Sequence, residues 1–162
     1  MKIIRRILFA GIAVAMAGTL LAQSAPPQVA YPEGYRNWTH VKSMVINPGH
    51  PLYEAFGGIH HLYANKQAMD GYRSGRFPDG AVIVFDLLAV NAEGNAVQET
   101  ERKVVGVMMK QANQYRTTGG WGFEGFKGDT RERVVGDKAA SACYQCHTAQ
   151  KDKDFVFSQW RK

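Results

Sequence analysis

Two cysteines and a histidine, in the run Cys143-Tyr144-Gln145-Cys146-His147, stand close enough in sequence to act on one group. The order C-x-x-C-H is the attachment sequence of a c-type haem. Two thiols three residues apart can add across the two vinyl groups of one porphyrin, and the neighbouring imidazole then sits beneath the iron. On a helix, positions 143, 146 and 147 share one face. The motif therefore predicts one covalently attached haem c per chain, with Cys143 and Cys146 as the attachment residues and His147 as an axial iron ligand. Other uses of C-x-x-C fit less well. A redox dithiol belongs near a β-α-β pattern, which the residues after His147 do not supply. A structural zinc takes about four ligands, and these two cysteines are the only ones in the chain.

The N-terminus bears on where such chemistry would take place. Lys2, Arg5 and Arg6 precede an apolar stretch from Ile7 to Leu21, and Ala22-Gln23-Ser24 supplies the small residues of a cleavage site. A cut between Ser24 and Ala25 places Ala22 and Ser24 at the two small-residue positions, whereas a cut after Ala25 sets Pro26 against the scissile bond. The apolar run, residues 7–21, is shorter than the ~20 residues of a spanning helix. Residues 1–24 thus read as a signal peptide, and residues 25–162 as one domain with no membrane association after cleavage. Attachment of C-x-x-C-H haems requires reduced thiols and haem beyond a bacterial inner membrane, so the expected compartment is the periplasm. The formal charge of +6 falls to +3 when the three positive residues Lys2, Arg5 and Arg6 leave. No basic stripe interleaved with aromatics remains, which excludes nucleic acid as a partner.

The elements that must position the motif can be read in part. Residues 81–90 and 103–110 are apolar runs of strand length, and residues 120–127 alternate glycine with Trp121 and Phe123. Asn65 can cap a helix through about Asp70, closed by the Gly71 to Gly75 region. Asp137 can cap a second helix that runs to about Gln150 and carries the haem motif. The expected fold is α+β, mainly an antiparallel β-sheet with short peripheral helices and a C-terminal haem-bearing helix. A four-helix bundle is disfavoured, because residues 81–127 hold no long amphipathic helices.

Function turns on the iron face opposite His147, where axial ligation separates electron transfer from ligand binding. His40, His50, His60, His61, Met44, Met69, Met108 and Met109 are the candidate sixth ligands, and no local pattern favours one. His60 and His61 are adjacent on a strand-like segment, so at most one faces inward. Arg131 and Arg133 can neutralise haem propionates, although a solvated surface role fits them better. No motif places an acid–base residue near the iron, so no catalytic residue is assigned.

The segment Tyr63-Ala64-Asn65, the run from Gly75 to Val84 (GRFPDGAVIV), the C-terminal haem motif and Asp154-Phe155-Val156-Phe157 together resemble the cytochrome P460 family, and within it the cytochrome c′-beta branch. The resemblance covers residues 31–160. It implies a mainly antiparallel fold, a homodimer and a five-coordinate c-type haem. Hydroxylamine-oxidising members of the family carry a lysine, cross-linked to the haem, at the position of Phe85. A phenylalanine has no nitrogen for that bond. The resemblance instead implies a distal cap made by Phe56 and Phe85. Such a cap offers dioxygen no donor and anions no partner for their lost hydration. The expected ligands are nitric oxide and carbon monoxide, bound for scavenging, carriage or sensing. Gly57-Gly58 can let backbone approach the porphyrin closely. Alternatives are a haem enzyme that oxidises hydroxylamine or nitric oxide, and an electron-transfer cytochrome with a periplasmic redox partner.

Overall fold

The computed structural model describes residues 28–162; the expected signal peptide, residues 1–24, lies outside them. Five strands, Thr39–Ile46 (β1), Gly58–Ala64 (β2), Val82–Asn91 (β3), Gln98–Lys110 (β4) and Trp121–Lys127 (β5), form one antiparallel sheet in the order of the chain. The three runs read as strands from their apolar content become β3, β4 and β5. β4 starts earlier than expected, because Gln98 to Arg102 pair with the end of β3 despite their polarity.

Val84 and Leu87 are both fully buried although they point to opposite faces. Both faces of the central sheet are therefore covered. On one face, Val29 and Tyr35 of the N-terminal segment pack on Tyr63, Val82, Val84, Val105, Val107 and Phe126. On the other, Ala68, Met69 and Phe77 pack with Ala64, Ile83, Trp121 and Phe123, joined by Phe155 and Val156 from the C-terminus. That second face is only partly filled, which matters for the site.

Helix Lys66–Ser74 (α2, after the single turn Tyr53–Phe56, α1) starts at the expected cap. Asn65 Oδ1 accepts from Ala68 N at 2.8 Å and from Val82 N at 3.0 Å, while its Nδ2 donates to Gly80 O at 2.8 Å. One side chain thus ties the end of β2 to the first turn of α2 and the start of β3. Asn65→Ala removes a cap together with two cross-links, and is expected to cost about 2–3 kcal/mol. Urea unfolding checks this. A loss under ~1 kcal/mol would reduce Asn65 to an ordinary cap.

The C-terminal segment departs from the single helix expected over 137–150. Right-handed turns of different pitch follow one another: Gly136–Lys138 is a 3₁₀ turn, Ala140–Tyr144 a π turn, Gln145–His147 a single α turn (α3) and Thr148–Lys153 a 3₁₀ segment kinked at Gln150. Asp137 makes no capping hydrogen bond. It sits inside the first turn, after Gly136 in the left-handed region at φ 51°. The widest turn falls on the first half of the cysteine motif, in keeping with the tendency of π turns to mark functional positions. Among the described residues no helix is long and apolar enough to cross a membrane.

Candidate functional site

Cross-strand register shows which side chains share a face with the motif. One row runs Ala64, Ile83, Met108, Phe123; the next runs Leu62, Phe85, Gly106, Gly125; a third runs Met44, His60, Leu87, Val104. Residues directly opposite across antiparallel strands project to one side, and rows two residues apart keep that side. The first row lies in the core under α2. Beyond it the same face opens. Leu62, Phe85 and Gly106 are half-buried, Phe56 is 37% exposed and Met44 45% exposed. Gly106 presents no side chain, and a Cβ built there would meet the Phe85 Cβ at 3.4 Å. The result is a partly exposed apolar face with bare backbone at Gly106.

The cysteine motif sits at the edge of this face. The His147 ring lies 5.1 Å from the Phe123 ring and 5.0 Å from that of Phe157, centroid to centroid, and Tyr144 packs 6.3 Å from Phe123. Neither cysteine is in a disulfide. Burial, helped by the charge of Glu124, pushes the Cys143 thiol up to about 11. Reactive redox thiols need the opposite shift, so the surroundings of Cys143 do not favour a redox use of C-x-x-C.

His147 Nδ1 hydrogen-bonds the Phe155 carbonyl oxygen at 2.7 Å. A carbonyl can only accept, so Nδ1 carries the proton and Nε2 keeps its lone pair for a metal. Burial lowers the affinity of this imidazole for a second proton, and the hydrogen bond only partly offsets that. The ring is held neutral and oriented.

Two left-handed residues set the acceptor. Asp154 at φ 52° and Phe155 at φ 64° form an elbow that costs non-glycine residues of order 1–3 kcal/mol each. Asp154 holds it. Its carboxylate accepts from Phe77 N at 2.9 Å and Lys110 Nζ at 2.5 Å, and its carbonyl accepts from Trp121 Nε1 at 2.9 Å. Gly119, itself at φ 65°, gives the Phe155 ring room, since a Cβ there would fall 2.3 Å from it. Sequence reasoning quotes Asp154 and Phe155 but misses this role, because Lys110 and Trp121 are distant in the chain.

The segment entering the motif is fastened in a similar way. Glu124 is buried and accepts from Gly125 N, Val135 N, Gly136 N and Arg133 Nη1. Burial, the largest influence, opposes its ionisation, but these donors together hold its carboxyl below the ordinary range. Arg133 is thereby committed to Glu124. Arg131 pairs through Nε and Nη2 with the two carboxylate oxygens of Glu33 and lies over the Tyr31 ring at 3.6 Å. Neither arginine is merely solvated.

Phe56 and Phe85 meet edge-to-face with centroids 5.6 Å apart. The glycines beside Phe56 have local reasons. A Cβ at Gly57 would lie 2.6 Å from the Tyr53 ring, and one at Gly58, which has φ 120°, 2.2 Å from the Leu88 carbonyl oxygen. Packing within the chain thus accounts for both glycines. Of the candidate sixth ligands, His60, Met44 and Met108 share the face of Phe85. His61 is on the reverse face, bonded to Ser43 Oγ at 2.6 Å and Glu99 Oε2 at 2.8 Å, and His40 bonds the same Ser43 Oγ at 2.9 Å. His50 Nδ1 accepts from Leu52 N, Met69 is buried in the core, and Met109 packs on the reverse-face core.

The residues present fit a haem on three counts. Cys143 packs on the same apolar cluster as Leu62, the neighbouring imidazole is fixed through Nδ1 with Nε2 left for a metal, and a buried polar atom on the same face, His60 Nδ1, has no hydrogen-bond partner. In comparisons with known proteins, the family model described as Cytochrome P460 matches residues 32–158. A comparison with curated proteins found no match.

Proposed function

The chain belongs to the cytochrome P460 family, and from that premise we propose that it is an exported haem c protein of the cytochrome c′-beta branch which binds nitric oxide and carbon monoxide. Haem would supply an iron that binds small gas molecules. Cys143 and Cys146 would tether it, and His147 would offer it Nε2. Phe56 and Phe85 do the selecting. Their edge-to-face contact at 5.6 Å is the observation that carries the reading, because it sets two carbon rings together on the apolar face. Water and anions lose hydration on passing the rings and gain little in return, whereas nitric oxide and carbon monoxide carry almost no hydration to lose. A periplasmic setting and a homodimer complete the proposal, the first resting on residues 1–24 and the second on the resemblance.

Absorption spectra of the haem-loaded protein, ferric and ferrous, with and without nitric oxide, test it. High-spin five-coordinate bands that change on addition of the gas are expected. Low-spin bands without response would make electron transfer the better reading, and sustained turnover of hydroxylamine would make the protein an enzyme. Phe85→Ala should raise the rate of carbon monoxide binding by up to about tenfold, the scale of one lost aromatic pair. Unchanged kinetics in flash photolysis would remove Phe85 from any gating role.

A further inference from the structure

His60 is 5% exposed, and its Nδ1 has no hydrogen-bond partner. A buried imidazole nitrogen left unpaired costs about 1–3 kcal/mol, and such groups in native structures call for a reason. Position suggests one. The His60 ring lies 4.5 Å from that of Phe85 with the planes 33° apart, a tilted stack, while Phe56 meets the other ring edge-on. Phe85 is therefore backed by a polar residue on the same sheet face, and the cap is less uniformly apolar than its two phenylalanines suggest.

We propose that His60 is the hydrogen-bonding residue of the distal pocket, hidden behind Phe85 until that ring moves aside for a ligand. This rests on the haem-binding reading above. Burial, followed by electrostatic repulsion from the neighbouring His61 and Lys42, pushes the His60 imidazole down to about 4. It is neutral around pH 7 and offers one N–H donor without bringing a charge into the pocket. Polar ligands are then refused because Phe85 covers the donor. His60 in this role is a specificity-determining residue that never holds the iron.

The C–O stretching frequency of the ferrous carbon monoxide complex reads the pocket directly, since a nearby donor lowers it. In Phe85→Ala the donor is uncovered, and the frequency should drop below that of the parent protein. In Phe85→Ala/His60→Leu it should return, and Phe85→Ala/His60→Gln, which keeps a donor, should restore much of the drop. Carbon monoxide should also leave Phe85→Ala several-fold more slowly than Phe85→Ala/His60→Leu. Phe85→Leu serves the same comparisons where the alanine variant does not fold. Identical frequencies with leucine or histidine at position 60 would overturn the proposal while leaving carbon monoxide binding intact. Failure of the parent protein itself to bind carbon monoxide would overturn both this and the reading beneath it.

Discussion

Cys143→Ala/Cys146→Ala is expected to abolish covalently held haem, taking it from one group per chain to nearly none. The physical reason lies in how little else holds the C-terminal segment. Residues 136–153 contain no fully buried side chain; they are held by the Glu124 staple at one end, by the partly buried Cys143, Tyr144 and His147 against the core aromatics, and by the His147–Phe155 hydrogen bond. Two thioethers would turn this loosely packed segment into part of the cofactor. Without them His147 alone can retain haem, as a reversible ligand. A denaturing gel stained for haem, with the intact mass of each form, checks the outcome. The parent chain should carry the mass of one haem through denaturation, and the double variant should carry none. Haem that survives denaturation in the double variant would mean that the bond is made elsewhere. In the single variants, one thioether should remain, with the visible bands displaced because one vinyl group is left unreacted.

Legibility in the sequence follows the range of the forces concerned. β3 and the second half of β4 are dense in β-branched residues because both their faces are covered, and that signal is local. The α2 start is local too, since Asn65 and the turn it caps are neighbours. β1 gives no such signal. It is an edge strand with only Val41 and Ile46 buried among eight residues, so its composition is that of a surface. The C-terminal segment is misleading for a different reason. Its alanines favour one regular helix, but Gly136 and the Glu124 staple start the turn in one place and the Asp154 elbow stops it in another. Between these fixed ends the pitch changes turn by turn. Alternation alone says that His60 and His61 face opposite ways. Only the register against β1 and β3 tells which one shares the face of Phe85.

The elbow gives the second large effect, at Asp154. Asp154→Leu leaves the Lys110 ammonium, 11% exposed on its side chain, beside a single carbonyl acceptor, Gly119 O at 3.1 Å, and the face of Trp121. Removing one partner from a buried ion pair costs about 3–5 kcal/mol, a large part of the ~5–15 kcal/mol that holds a domain. The urea midpoint should fall accordingly. Lys110→Met/Asp154→Leu should recover much of that loss, because an apolar pair of similar volume replaces the charges without leaving one alone. Stability and site geometry then part company. Phe77 N still lacks its acceptor in the double variant, the two left-handed residues lose their clamp, and the Phe155 carbonyl is no longer held 2.7 Å from His147 Nδ1. The hydrogen bond to Nδ1 makes the imidazole a stronger donor through Nε2. The stabilised double variant should therefore show a higher reduction potential and a weaker iron–histidine stretch than the parent. Recovery of stability with the parent potential and stretch unchanged would show that Asp154 serves packing alone, and that the proximal histidine is positioned by the aromatic rings of Phe123 and Phe157.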